Sequence, residues 1–210
     1  MKQWLKNVSF MILLLKSCIL LCQNLDTKKI VVIDPGHGGK DSGAIGINGI
    51  QEKDVALNIA NTILKLNDKS DTPLDIYLTR YTDTLISLFD RTKLAKALKA
   101  DLFVSLHCNH SDNSSARGIE IYVAGATSKY SDDVTWLAFQ LQAVLNKQLG
   151  YESRGVKFAD FQVLRETINH CPSLLLELGF LSNEDEGKFI SDSNNIQPIA
   201  LTILQSLQKH

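Results

Sequence analysis

The chain has 210 residues, of which 44% are hydrophobic and 21% are charged, and its formal net charge is −1. This composition is typical of a globular protein, and the nearly balanced charge provides no basic surface for nucleic acid. We expect a single domain with a sizeable hydrophobic core, covering residues 28–210.

The first 22 residues resemble a secretory leader. Basic residues precede an apolar run over residues 8–21 that is interrupted by Lys16, an order typical of signal peptides. An N-terminal membrane anchor is the alternative, but the run is short for a membrane span and contains a lysine. The sequence determines neither the cleavage site nor lipidation. We expect an exported protein of the periplasm or cell envelope, without stable membrane insertion after cleavage.

The first predicted strand covers residues 30–33 and leads into Asp-Pro-Gly-His-Gly-Gly, residues 34–39. Four consecutive β-branched residues indicate a buried strand, and Pro35 ends it because proline cannot donate to a sheet ladder. The flanking glycines permit backbone conformations and close approaches that other residues forbid. His37 therefore lies on a loop at the carboxyl end of a core strand, where open α/β sheets bind ligands.

The elements that follow alternate between helices and strands. Ser131 is predicted as an N-cap and Gly150 as the end of the helix between them. The other helices are predicted at residues 54–66, 88–99 and 195–209, and the strands at residues 75–79, 101–107, 118–123 and 173–179. This alternation predicts a single-domain α/β fold with a mixed, mainly parallel sheet.

Two of these strands repeat the design of the first strand. One ends in His107, and another carries Glu177 near its end. If the three strands are parallel neighbours, His37, His107 and Glu177 emerge at one edge of the sheet. Glu52, which precedes the helix of residues 54–66, is the fourth candidate. Two histidines and two carboxylates are the groups that a catalytic zinc site needs.

Each of these residues also has a structural interpretation. His37 and His107 could be hydrogen-bonded histidines at a loop and a strand end. Glu52 could cap its own helix, where a carboxylate is favoured by the helix dipole. Glu177 could pair with an arginine, because a buried unpaired carboxylate is costly.

Other polar residues are assigned structural roles. We expect Arg80, Asp83 and Arg91 to form an ion-pair network that holds loops. His110 follows His107 on a polar loop, and we expect it to be solvated rather than catalytic.

The cysteines outside the leader are Cys108 and Cys171. In neighbouring parallel strands they would lie at opposite ends, separated by about five residues at roughly 3.3 Å each. This distance exceeds the reach of a disulfide, so we predict two free thiols.

Four motifs, in this order, resemble the zinc-dependent N-acetylmuramoyl-L-alanine amidases of the Amidase_3 family. They are Asp-Pro-Gly-His-Gly-Gly (34–39), Gln-Glu-Lys (51–53), Ser-Leu-His-Cys-Asn (105–109) and Leu-Glu-Leu-Gly-Phe-Leu-Ser-Asn (176–183). The resemblance extends from residue 30 to the C-terminus. It implies a twisted sheet of about six strands with helices on both faces.

The resemblance also implies a chemistry. His37, Glu52 and His107 would bind one Zn²⁺, and Glu177 would be the general base. The reaction would be hydrolysis of the amide between N-acetylmuramic acid and L-alanine in peptidoglycan, during cell-wall remodelling and daughter-cell separation. Peptidoglycan is the expected partner. The sequence does not determine the oligomeric state, and a monomer is the simplest expectation.

Two other functions stay open. One is a zinc hydrolase for a different amide, such as a bond within the stem peptide. The other is a peptidoglycan-binding module without catalysis, against which the complete set of four residues argues. Some amidases of this type carry an autoinhibitory helical insertion, but residues 124–135 are too few to hold one. We therefore expect a site that needs no activator.

Overall fold

The computed structural model describes Asn7, Met11, residues 28–47 and residues 49–210. Within these residues, no helix combines the length and the apolar character needed to cross a membrane. Apart from the two isolated positions, the predicted leader of residues 1–22 lies outside the described residues, and export stays a prediction.

Six strands form one sheet. Its centre consists of apolar runs: Val31, Val32 and Ile33, for example, are fully buried. The strands are β1 (Ile30–Pro35), β2 (Asp75–Leu78), β3 (Leu102–Asn109), β4 (Ile119–Ala124), β5 (Ser153–Ala159) and β6 (Ser173–Phe180).

The helices of the described residues connect these strands or follow the last one. They are α1 (Glu52–Asn67), α2 (Leu88–Leu98), α3 (Ser131–Leu149), α4 (Gln162–Thr167), α5 (Glu184–Ser191) and α6 (Ser193–Lys209). The predicted helices agree with α1, α2, α3 and α6 to within two residues at most ends.

The strand order is β2-β1-β3-β6-β4-β5. The first four strands are parallel, β4 runs antiparallel to β6, and β5 is parallel to β4. The predicted mixed, mainly parallel sheet is therefore confirmed.

Helices cover both faces of the sheet, as expected. α1, α3 and α6 pack together on one face, whereas α2 and α4 contact each other on the other face. Crossover connections between parallel strands are right-handed. The β1–α1–β2 and β2–α2–β3 connections move across the sheet in opposite directions, so their helices lie on opposite faces.

The prediction of Ser131 as an N-cap was wrong by one residue. Tyr130 occupies the N-cap position, and Ser131 is the first residue of α3. The Ser131 hydroxyl accepts a hydrogen bond from the Ser128 N–H at 2.9 Å. It therefore stabilises the preceding turn instead of the helix.

Cys108 and Cys171 are free and buried. The register of β3 and β6 places Phe103 beside Ser173 and His107 beside Glu177. Cys108 therefore lies near one end of this strand pair and Cys171 just before the other end, as the prediction of free thiols requires.

Candidate active site

The four predicted site residues line one cleft of about 680 Å³ at the carboxyl edge of the parallel strands. His37 follows β1, His107 lies near the end of β3, and Glu177 faces His107 from β6. Glu52 is the first residue of α1. The expected convergence of these four residues is confirmed.

The Glu52 carboxylate lies between the two imidazole rings. Its Oε2 atom is 3.1 Å from Nε2 of His37, and its Oε1 atom is 2.8 Å from Nδ1 of His107. One potential ligand atom from each residue lies within 4.8 Å of those from the other two. This trio could hold a single metal ion.

Backbone groups from a loop and from strand β3 orient Glu52. The Ala44 N–H donates to Oε2 at 2.7 Å, and the Cys108 N–H donates to Oε1 at 3.0 Å. Burial alone would raise the pKa of Glu52, but hydrogen bonds with His107 and His37 outweigh it and lower this pKa far below its ordinary value. The carboxylate thus contacts the two histidines of the candidate metal site instead of capping its own helix.

Two glycines make room for this arrangement. A Cβ atom on Gly36 would lie 2.3 Å from the His107 ring, and one on Gly43 would lie 2.4 Å from Glu52 Oε2. Gly43 also has a φ of +64°, which disfavours residues with a side chain. Larger residues at either position would push the trio apart.

Two buried arginines hold the loop that carries His37. His37 itself has a positive φ of 58°, a rare conformation for a residue other than glycine. Arg91 donates to the His37 carbonyl at 2.6 Å and to the Asp34 carboxylate at 2.6 Å. Arg80 donates to the Gly36 carbonyl at 2.7 Å. Both arginines hold this loop as predicted, and Arg91 does so partly through an ion pair with Asp34. Arg80 donates to backbone carbonyls and is in no ion pair among the described residues, so the predicted ion-pair network is wrong for Arg80.

Two aspartates complete the support of this loop. Asp83 accepts hydrogen bonds from the Gly39 N–H and from Lys53 Nζ, both at 2.7 Å, which confirms its structural role. Asp41 lies 2.9 Å from Nδ1 of His37, in the position from which carboxylates orient metal-binding imidazoles. Asp41 was not among the predicted site residues, because an aspartate in a polar glycine-rich loop carries no distinctive signal.

Glu177 lies beside the trio, on the neighbouring strand β6. Its Oε2 atom is buried and has no hydrogen-bond partner among the described residues. Burial, together with the charges of Glu52 and Glu120, raises the pKa of Glu177 to about 7. The alternative in which an arginine pairs with Glu177 is wrong, because the nearby Arg154 pairs with Glu120 instead.

The walls of the cleft are largely apolar. Ile45, Leu88 and Phe161, the residue before α4, all line the cleft. His110 also lines the cleft but is exposed, which agrees with its predicted solvation. The cleft can therefore bind a substrate with apolar contacts around a polar floor.

Comparisons with known proteins agree with this geometry. Residues 31–209 match the family model Amidase_3, described as N-acetylmuramoyl-L-alanine amidase. N-acetylmuramoyl-L-alanine amidase LytC of Bacillus subtilis is 42% identical over 157 residues, covering 74% of this chain and 30% of LytC. The chain therefore spans less than a third of the length of that relative.

Solved structures show the same fold. The catalytic domain of the amidase CwlV from Bacillus (Paenibacillus) polymyxa superimposes with a TM-score of 0.77 at 35% identity, covering 86% of this chain and 97% of that domain. An N-acetylmuramoyl-L-alanine amidase from Clostridium difficile 630 gives 0.79 at 33% identity, covering 87% and 96%. These matches, together with the four motifs and the geometry of the cleft, show that the chain belongs to the Amidase_3 family of N-acetylmuramoyl-L-alanine amidases.

Proposed function

We propose that the chain hydrolyses the amide between N-acetylmuramic acid and L-alanine in peptidoglycan, with one zinc ion as cofactor. One observation carries this proposal: Glu177, whose buried Oε2 atom has no hydrogen-bond partner among the described residues, lies beside a trio of metal-binding type. Such an arrangement provides both the cofactor site and the base that a metal-assisted hydrolase needs. The family of the chain supports the substrate.

The donor set of the trio fits zinc. Catalytic zinc sites commonly have three protein ligands, two histidines and a glutamate among them, and keep a fourth position open. His37, Glu52 and His107 are such a set, and Asp41 would orient the His37 ring. A bound zinc ion would activate a water molecule and polarise the scissile carbonyl. His37, Glu52 and His107 are thus the proposed ligands.

Glu177 is the proposed general base. It would accept a proton from the attacking water and then donate a proton to the leaving amine of L-alanine. A carboxyl group with a pKa of about 7 is suited to both transfers near neutral pH. The absence of a hydrogen-bond partner for Oε2 among the described residues supports this role, because no protein group competes for the proton.

The biological setting follows from the leader and the substrate. Export through the leader of residues 1–22 would bring the enzyme to the periplasm or cell envelope, where it would act in wall remodelling and daughter-cell separation. The link from β4 to α3 consists of residues 125–130 and holds no helix, which supports activity without an activator.

Digestion of purified sacculi, with and without a zinc chelator, tests the proposal. Mass spectrometry should find free stem peptides with L-alanine at the amino terminus, and the chelator should abolish their release. The Glu177→Gln protein is the control for contaminating hydrolases. Cleavage within the stem peptide would show that the protein is a peptidase and not an amidase. Binding to sacculi without release of any peptide would indicate a module without catalysis. If hydrolysis strictly required an added protein, the proposal that the enzyme needs no activator would be refuted.

A further inference from the structure

A second carboxylate, Glu120, stands beside Glu177. The register of the antiparallel pair β4 and β6 places the two residues directly opposite each other, so their side chains project from the same face of the sheet. Glu120 is buried, and its Oε2 atom accepts hydrogen bonds from the Tyr122 hydroxyl at 2.6 Å and from Asn109 Nδ2 at 3.1 Å. Asn109 itself lines the cleft. Asn109 therefore connects Glu120 to the cleft.

Two cations share the other oxygen of Glu120. Arg154 Nε and Lys157 Nζ each lie 2.6 Å from Oε1. One cation would neutralise this carboxylate, so the second leaves the three groups with a net positive charge. The side chains of Arg154 and Lys157 are 36% and 38% exposed. Both can therefore contact a ligand in solution.

A backbone irregularity creates this pair. In a regular strand, residues three positions apart project to opposite faces. The pairing of β4 with β5 shifts register between Ile119 and Ile121, opposite Ser153 and Val156, and Gly155 in the shifted segment has a φ of +90°. Such bulges redirect side chains and are common beside active sites. The bulge lets Arg154 and Lys157 reach the same oxygen atom.

We propose that Arg154 and Lys157 bind a free carboxylate on the peptide part of the substrate. This proposal rests on the proposed amidase function. The muramic acid carboxyl is consumed in the scissile amide, so a free carboxylate near that bond must come from the peptide. The peptide would then extend towards β5.

The distances select a carboxylate close to the scissile bond. The Cβ atoms of opposed residues such as Glu177 and Glu120 lie about 5 Å apart, and Arg154 Nε and Lys157 Nζ each lie 2.6 Å from Glu120 Oε1. The cations therefore lie near the first residues of a bound peptide, and the carboxyl group of L-alanine is itself consumed in the next peptide bond. The carboxylate recognised would therefore be that of the second peptide residue.

Two soluble muropeptides that differ only at this group test the proposal. One carries the free α-carboxylate on the second peptide residue, and the other carries the corresponding amide. Because soluble muropeptides contain no wall-polymer phosphate, the comparison reports on the peptide carboxylate alone. The quantity measured is kcat/KM for the acid divided by kcat/KM for the amide.

Three variants interpret this ratio. Lys157→Gln should lower it about tenfold, the size expected for loss of a hydrogen bond to a charged group, whereas Arg154 still pairs with Glu120. Lys157→Arg should retain most of the preference. Lys209→Gln makes the same charge change on an exposed residue of α6 and should leave the ratio unaltered.

The outcomes separate the two proposals. If Lys157→Gln lowers kcat/KM for both substrates by the same factor, Lys157 has only a structural role and the carboxylate site is refuted. If the wild-type protein itself does not distinguish the acid from the amide, the site is also refuted while the amidase function stands. If neither substrate yields an L-alanine amino terminus, both proposals fail.

Discussion

The same substitution, glutamate to glutamine, should have different effects on metal binding and stability at Glu52 and at Glu177. The change keeps the shape of the side chain and replaces one oxygen by an NH₂ group. Both variants should lose catalysis. Only Glu52→Gln should also lose zinc and stability, because the two carboxylates have different hydrogen-bond partners.

At Glu52, both oxygens already accept backbone hydrogen bonds, from Ala44 and from Cys108. In either orientation, a glutamine NH₂ group would face one of these N–H donors, which then loses its acceptor. A buried donor without a partner costs about 1–3 kcal/mol, which lowers Tm by about 2–12 °C for a domain of this size. Loss of a charged ligand should weaken zinc binding at least about 100-fold, more than changes in groups that only orient ligands.

At Glu177, a glutamine meets a different environment. No described residue donates to Oε2, so an NH₂ group displaces no hydrogen bond there. Burial disfavours the charged form of Glu177, and removal of that charge should leave stability equal or increased. His37, Glu52 and His107 are untouched, so zinc should stay near one equivalent. Turnover should fall by about 10²- to 10⁴-fold or more, because one residue serves both proton transfers.

Three measurements on each purified variant decide the matter: zinc content after dialysis, Tm, and the rate of stem-peptide release from sacculi. Glu177→Gln with nearly normal turnover would refute its role as the base. Glu177→Gln with lost zinc would assign it to the metal instead. Glu52→Gln with full zinc and unchanged Tm would refute the account of the ligand trio.

Three further predictions concern stability. Arg91→Met should lower the free energy of unfolding, measured in urea, by about 3–5 kcal/mol, because Asp34 becomes a buried charge without its cation. The double variant with Asp34→Asn should recover part of this loss. A double variant that recovers none of it would contradict the reasoning. Burial alone would raise the pKa of Glu120, but hydrogen bonds from Arg154, Lys157 and Tyr122 outweigh it and lower this pKa below the ordinary 4.5. Because the folded-state pKa is depressed, the stabilisation is present above pH 4.5 and is lost as the pH falls through the folded-state pKa. The Tm difference between wild type and Glu120→Gln should therefore be largest at neutral pH and shrink in acid, and a difference that grows in acid would refute this. Removal of zinc should lower Tm reversibly, because a ligand of the folded state alone stabilises it; an unchanged Tm would argue against metal binding by the folded protein.

Much of the fold follows from local sequence patterns. The β-branched run of β1 and the apolar runs of β3 and β6 each predict a buried strand, and alternation with helices predicts parallel pairing. Since parallel strands end at a common edge, polar residues at those ends are predicted to meet. His37, His107 and Glu177 obey this rule. Glu52 required the family motif as well, because it precedes a helix and reaches the edge only through the folding of the glycine loop.

Strands and helices whose sequences show no clear periodicity of apolar residues were not predicted. The segment of β5 combines exposed residues, a glycine and a bulge, so the two-residue alternation of a strand is broken there. α4 spans only Gln162–Thr167 and α5 only Glu184–Ser191, which are too short for helical periodicity to emerge. α5 begins after an Asn183 N-cap whose side chain accepts two backbone hydrogen bonds. This cap residue, inside a motif noted for another reason, is a signal that could have revealed the helix.

The reversal of strand direction at β4 explains why Glu120 could not be recognised from its sequence position. The rule that places functional groups at the carboxyl ends of strands applies to parallel neighbours, and Glu120 lies at the beginning of its strand. Because β4 runs antiparallel to β6, the amino end of β4 meets the carboxyl end of β6. Glu120 therefore lies directly opposite Glu177 in the strand register. A mixed sheet can therefore build one site from both kinds of strand end. In this protein the parallel strands and α1 provide the proposed metal ligands and general base, and the reversed strands β4 and β5 provide the charged groups beside them.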